Sequence, residues 1–322
     1  GGHERGSLIS GQYRLGFGNM DETDLFICRA LLENSRASYS ELGKALNLTP
    51  QAVHRRVQEL TQSGVIKGTI TRLSPSAMGK MWVFIYGQSA RPVMSEVAAG
   101  LKDLENVAIL MMASGNVVYV HAMAKDSAEL AEIVSSIQRI AGIQDPQVGI
   151  VPTPPPALPG AVSELDIRLV KALQTDSRKP ISTLATEIGV TPKTVRRRLD
   201  RLMKEGLVQF SIHWSPDTAG DTVVNLHLTI KGDIPREKVA IETVKRLSSN
   251  AVRTLSFSNM PNRIIVTMWT NNMREMQEIC RGLEGTEMFA SVVPNVIRDA
   301  QYYDEHYSKF FDEFLRASKR RP

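Results

Sequence analysis

The chain has 322 residues, of which 42% are apolar, 23% charged and 6% aromatic, a composition that supports packed cores and excludes wholesale disorder. No apolar run approaches the roughly 18 residues of a membrane span, so no membrane partner is expected. Cys28 and Cys280 are the only cysteines and can build neither a disulfide framework nor a cysteine-rich metal site, which fits a cytoplasmic protein. The net charge of +5 permits a polyanionic partner without demanding one, so the distribution of charge has to decide.

Residues 1–19 carry six glycines and are set apart as a flexible arm or an expression remnant. Helical patterns follow at 21–33, 40–46 and 50–62. In SELGKALNLTPQAVHRRVQEL, Ser40 is expected to cap the second helix, Asn47 and Leu48 to form a turn, and Thr49 to cap the third with Pro50 at its first position. Val53, Val57 and Leu60 make one apolar stripe and leave Gln51, His54, Arg55 and Gln58 on other faces. VIKGTITRLSP, after Gly64, is predicted as a short extended pair, a wing beside the helices. MWVFIYG (81–87) predicts a strand, 91–105 a helix, VAILMMA and VVYVHAMA two strands, 127–141 a helix and DPQVGIVP a last strand. This βαββαβ order predicts a ferredoxin-like sandwich, a four-stranded antiparallel sheet with two helices on one face.

The proline-rich VPTPPPALPGAV (152–162 in the main) cannot hold a helix or central strand and predicts a semi-rigid linker. Beyond it the same grammar returns, with helices at 164–174, 182–188 and 192–204, strands VVNLHLTI, AVRTLSF, RIIVTMW and EMFASVVPNV, and helices at 235–248 and 271–283. An offset of 142 aligns residues 24–66 with 166–208 without a gap, and 14 of the 43 positions are identical, which marks a tandem domain duplication. The fold class is α+β, a tandem duplication of winged helix-turn-helix plus ferredoxin-like sandwich. The expected units are 20–75 and 163–217 (winged helix-turn-helix), 80–151 and 221–298 (ferredoxin-like), and a C-terminal aromatic helix with basic tail at 299–322. In that last segment Tyr303, Tyr307, Phe310 and Phe314 fall on one stripe ahead of Lys319, Arg320 and Arg321. The stripe is expected to dock on its own sheet or on a partner chain, with an intermolecular seam preferred.

A winged helix-turn-helix joined to a βαββαβ domain, headed by MDETDLFICRALLENSRASYSELGKAL with GVIKGTITRLSP at the junction, resembles the Lrp/AsnC family of feast/famine regulators. The resemblance covers nearly all of residues 20–300, twice. It implies a cytoplasmic transcriptional regulator rather than an enzyme, with no cofactor. Sequence-specific binding of double-stranded DNA would fall to the winged helices, and assembly and small-molecule effector sensing to the sandwich domains. A fused pair resembles a pseudo-dimer whose sheets pair within one chain, with a homo-oligomer of such chains beyond it. Residues 50–62 hold Arg55 and Arg56 against Glu59, a net of +1, whereas 192–204 hold Lys193, Arg196, Arg197, Arg198, Arg201 and Lys204 against Asp200, a net of +5. The candidate base readers are Gln51, His54 and Arg55 in the first helix and Lys193, Arg196 and Arg197 in the second. Thr49 and Thr191 are candidate phosphate holders at the helix N-termini, and Arg201 is a further DNA candidate. Arg56 and Arg198, nearer the buried stripe, are expected to hold the wing.

The family's sandwich domain usually carries a Gly two positions before an Asp in the turn between its middle strands. Here SGNVVYV keeps Gly115 but has Val117 in the acid's place, and SNMPNRIIV lacks the glycine. Ser114, Gly115, Asn116 and Asn259 are candidates for a modified effector pocket, with plain hairpin turns as the other reading. His121 and His227 stand on apolar strands without a paired ligand and read as hydrogen-bonded sheet histidines, Cys280 reads as core, and no metal site is expected. Two alternatives stay open. Sirohaem decarboxylases resemble two Lrp-like halves, but the Arg-rich stretch and the HNY element they usually carry are replaced here by KGTITR and VQFSIH and by nothing, respectively. A non-specific chromatin protein would differ in specificity ratio rather than in contacts.

Overall fold

The computed structural model describes residues 20–91, 93–153, 161–215, 221–232, 234–307, 309, 311 and 312. The N-terminal arm, the centre of the linker and the basic tail lie outside the described residues, as do Phe310 and Phe314. The first copy comprises α1 (Glu22–Glu33), α2 (Tyr39–Leu46), α3 (Pro50–Gln62), β1 (Ile66–Leu73), β2 (Met81–Gln88), α4 (Met94–Leu101), β3 (Val107–Ala113), β4 (Val117–Ala124), α5 (Ser127–Ala141) and β5 (Gln147–Val151). The second comprises α6 (Glu164–Ala172), α7 (Ile181–Ile188), α8 (Pro192–Lys204), β6 (Val208–Trp214), β7 (Thr222–Ile230), α9 (Arg236–Arg246), β8 (Ala251–Ser256), β9 (Arg263–Thr270), α10 (Met273–Glu284) and β10 (Phe289–Tyr302). The α+β tandem architecture is that expected from the sequence.

The wing differs from expectation. Each copy contributes one strand, and β1 pairs antiparallel with β6 of the other copy, from Ile66↔Trp214 to Leu73↔Val208. Each segment stays extended throughout, Gly68 included, and backbone donors and acceptors must find partners, so the copies satisfy each other. At the centre of the ribbon Thr69 faces Ile212 and Ile70 faces Ser211. Under the 142-residue offset these two pairs exchange, so a pseudo-two-fold axis passes between them. The same axis organises a reciprocal contact after the first helices. Ser35 and Ser177 share a hydroxyl hydrogen bond of 2.7 Å. Arg36 donates to the carbonyls of Ser177 and Lys179, and Arg178 to those of Ser35 and Ala37.

The two ferredoxin-like sheets join into one eight-stranded sheet of order β5-β2-β4-β3-β10-β7-β9-β8. The seam is β10, which pairs with β7 over Phe289–Val296 and then with β3 over Ile297–Tyr302. Residues 299–302, expected to be helical, are therefore strand. The free edges β5 and β8 approach each other without a ladder: the Phe257 ring covers Gly149, where a Cβ would lie 2.3 Å from it, and Ser258 and Asn259 bond to the β5 backbone. This lack of symmetry follows from composition. β10 runs on through IRDAQY, which can donate at every position, whereas β5 runs into Pro152 and the prolines behind it, which lack the amide a ladder needs.

Phe84, Tyr86, Tyr119, Leu255, Phe257 and Ile265 form the core where the sheets face each other. The winged units cross over. Leu25, Ile27, Cys28 and Val53 of the first copy pack with Val223 and Trp269 of the second sandwich, and Ile167, Leu169, Val195 and Leu202 pack with Trp82, Ile109 and Met123 of the first. Tyr303, Tyr307 and Phe311 are 2%, 4% and 0% exposed and join the cores of the first sandwich and the second winged unit. The described part of the aromatic stripe thus docks inside the chain, correcting the expected intermolecular seam. Phe310 and Phe314 of that stripe lie outside the described residues. Among the described residues no helix is long and apolar enough to cross a membrane, and no group of three or more His, Cys, Asp or Glu is placed to hold a metal.

Candidate nucleic-acid interface

The two recognition helices are built alike. Thr49 Oγ1 accepts from the Ala52 amide at 3.1 Å and Thr191 Oγ1 from the Thr194 amide at 3.2 Å, with Pro50 and Pro192 in the first turn. The preceding turns differ. α2 ends on Asn47 in the left-handed region (φ 55°), and a Cβ on Gly43 would lie 2.5 Å from the Leu48 carbonyl oxygen. The second copy has Ala185 there and ends α7 on Gly189 (φ 76°). Ser38, not Ser40, caps α2, its side chain accepting from the Ser40 amide.

On α3, Val53 and Leu60 are buried while Thr49, Gln51, His54 and Arg55 are exposed. His54 lies against Tyr39 with ring centroids 5.7 Å apart, and Arg55 makes a long contact of 3.8 Å with Glu59. On α8, Val195, Leu199 and Leu202 are buried while Thr191, Lys193, Arg196, Arg197 and Lys204 are exposed. Lys193, Arg196 and Arg197 border one shallow groove on the outer face, with Asp200 at its rim. The structure thus brings the expected readers of each helix together on a solvent-facing surface.

Arg201 stands elsewhere. Its guanidinium bonds to Asp166 Oδ2 at 2.7 Å, to the Ala161 carbonyl and to Glu205, so it faces the bundle rather than the groove. Asp166 is fully buried and also accepts from Arg198 at 3.0 Å. The equivalent Arg56 bonds to Asp21 and Asp24 at 2.8 and 2.7 Å. Arg56 and Arg198 therefore tie the recognition helices to the capping boxes of α1 and α6, not to the wing. Burial raises the Asp24 carboxyl against the pull of Arg56. At Asp21 the same penalty is outweighed by the Asp24 amide and Arg56, which leave it below the ordinary range. The hydrogen bond to Asp24 in turn raises Arg56. The missed signal was the repeated Asp at the third helical position, 32 residues before the repeated Arg.

The effector candidates separate into two turns. Ser114–Asn116 form a tight turn with Gly115 and Asn116 at positive φ, and Ser114 Oγ accepts from the Val296 amide on β10. Asn259 accepts from the Ile150 amide and donates to the Val148 carbonyl. Ser114 and Asn259 each clasp the last strand of the other sandwich, whereas the Gly115 and Asn116 carbonyls accept from Gln88 and Ser89 within the first, so the structure places the four residues in two separate turns. His227 meets Tyr119 at 2.8 Å, as a hydrogen-bonded sheet histidine should, but Nδ1 of the buried His121 has no partner. Both cysteines are buried free thiols whose pKa burial raises.

A pair of capped helices after tight turns, with polar outer faces on an interlaced pseudo-two-fold body, defines the class of helix-turn-helix regulators. The model of the AsnC-type helix-turn-helix domain matches residues 20–61 and 162–203. The HTH-type transcriptional regulator LrpA of Pyrococcus horikoshii is 35% identical over 127 residues, 38% of this chain and 90% of that protein. The regulatory protein AsnC of Escherichia coli K12 is 29% identical over 137 residues, 41% of this chain and 90% of that protein. The chain belongs to the Lrp/AsnC family, as two copies in tandem. The solved structure of the siroheme decarboxylase NirDL spans 93% of this chain and 100% of its own, with a TM-score of 0.53 at 14% identity, a likeness of fold alone.

Proposed function

We propose that the chain is a sequence-specific, DNA-binding transcriptional regulator without catalytic chemistry, and that one chain supplies the two-fold unit that binds a two-part site. The observation that carries this is the presentation, from one chain and about one pseudo-two-fold axis, of two recognition helices whose N-terminal readers all face solvent. Gln51, His54 and Arg55 would read one half-site and Lys193, Arg196 and Arg197 the other, with Thr49 and Thr191 near phosphates. A dimer of chains remains part of the proposal but has to use surfaces other than Tyr303 and Tyr307. Light scattering reads it: twice the chain mass supports it, and the single-chain mass removes it.

Binding-site selection from a random duplex library tests the function. The expected product is a motif of two unequal half-sites about one helical turn apart. Salt-sensitive binding without an enriched motif would favour the chromatin alternative. Absence of DNA binding together with a Soret band in the purified protein would favour the sirohaem-decarboxylase alternative, whose support is the NirDL-like order of all four units.

A further inference from the structure

A cavity of about 700 Å³ lies beneath the β1·β6 ribbon, within the size range of small-ligand sites. Arg72 on β1, His121 on β4 and Arg253 on β8 line it, and Met111, Phe210 and Tyr302 supply apolar and aromatic wall. β8 is an edge strand, so no neighbouring strand covers Arg253, which lines the cavity and is exposed. The surrounding protein and Arg72 push the Arg253 pKa down. Arg72 donates Nε to Gln209 at 3.1 Å and lies over the rings of Trp82 and Tyr307. Among the described residues no ion pair joins either guanidinium to a carboxylate, although Glu33 is on the wall. His121 is 3% exposed, and burial with Arg253 and Arg72 holds its pKa well below the ordinary histidine value.

Elsewhere the half-buried guanidiniums have fixed partners: Arg56, Arg198 and Arg201 rest on aspartates, and Arg36 and Arg178 on backbone carbonyls. Two that converge without a carboxylate partner, one buried and one exposed, beside a buried imidazole nitrogen without a partner, form a receptor for an anion, because charge-assisted and bidentate bonds to guanidinium groups are strong and specific. We propose that this cavity binds a small organic anion, a carboxylate or phosphate on an aromatic or apolar body, with Arg72 and Arg253 holding the anionic group and His121 Nδ1 a polar group beside it. The walls reach α1 of the first copy and α8 of the second, through Glu33 and Met203, so occupancy biases the angle between the recognition helices. This coupling rests on the regulator reading, whereas binding itself does not.

The probe is 8-anilinonaphthalene-1-sulfonate, an anionic aromatic fluorophore, titrated into the full chain. Saturable, blue-shifted fluorescence with one site per chain is expected. The affinity should fall about tenfold or more in Arg253→Gln, which removes a charge, and in Met111→Trp, which narrows the cavity from its apolar wall and keeps both charges. Circular dichroism checks that each variant folds. Displacement by phenylpyruvate but not by inorganic phosphate identifies the aromatic body as part of recognition; displacement by both at similar concentration identifies a bare anion site and overturns that part. Unsaturable binding, or an affinity unchanged in both variants, overturns the site. DNA titrations with and without phenylpyruvate read the coupling. DNA affinity unchanged at saturating ligand removes the coupling and leaves the site, and no DNA binding in either state defeats the regulator reading alone.

Discussion

At the residue scale, Asp24 and Asp166 hold equivalent positions but differ in burial. Asp166 is fully enclosed and carries two guanidiniums, whereas the Asp24 side chain is 17% exposed and shares Arg56 with Asp21. Removing one partner from a buried pair costs about 3–5 kcal/mol, so Asp166→Asn should approach that range and Asp24→Asn should fall well below it. Urea unfolding of both variants checks the order, and equal losses would contradict it. His227 supplies a pH test. Burial, aided by Arg263, lowers its pKa from 6.5 to about 4, so the folded state binds fewer protons between those values. Its stabilisation is complete above pH 6.5 and is lost progressively as pH falls toward 4, amounting to about 3 kcal/mol. His121 is lowered too and acts in the same window, so His227→Gln should flatten the dependence of the unfolding midpoint between pH 7 and 4.5 without abolishing it. Thr49 and Thr191 were legible as caps because a cap is decided within three residues. The destination of Arg201 was not, because its partner lies 35 residues away and only burial reveals that the pair is needed.

At the scale of elements, the turn into α3 is tighter than the turn into α8. A methyl group at Gly43 meets a backbone carbonyl that cannot swing aside, so Gly43→Ala should cost about 1–3 kcal/mol. The reverse change, Ala185→Gly, loses helix propensity, about 1 kcal/mol, and one buried methyl, about 0.8 kcal/mol more. Thermal unfolding compares them, and a neutral Gly43→Ala would mean that the Leu48 peptide yields. The existence of nearly every strand was legible from local apolar runs, as in VAILMMA and RIIVTMW. Partners were not, because pairing is settled by the whole chain: β1 finds β6 across the copies, and β10 reaches past β7 to β3. The mistaken helix over 299–302 has the same origin, since the Tyr and Asp residues there fit a helix until β3 offers an open edge.

At the scale of the whole molecule, duplication puts two unequal readers on one symmetric frame. The formal charges of +5 on residues 192–204 and +1 on residues 50–62 overstate what reaches DNA. Arg198 and Arg201 are held by Asp166, and Arg56 by Asp21 and Asp24. The cations left exposed are Lys193, Arg196, Arg197 and Lys204 on α8, against Arg55 on α3 with Glu59 beside it. Each phosphate neutralised adds about 0.9 to the slope of log affinity against log salt, so neutralising all four on α8 should reduce that slope by up to about 3.6, and Arg55→Ala by no more than about 0.9. Arg197→Ala alone should cost about 1–3 kcal/mol and relax base preference in one half-site if its fork meets a guanine, while Lys204→Ala should weaken all sequences alike. Arg201→Ala separates a structural arginine from a DNA-reading one: it should lower the unfolding midpoint and leave the salt slope unchanged in protein that remains folded. Titrations of the selected duplex at two salt concentrations decide among these outcomes. Equal slopes after Arg55→Ala and after the fourfold α8 change would show that the two helices share the phosphates evenly, and the frame would then be symmetric in its binding as well as in its backbone.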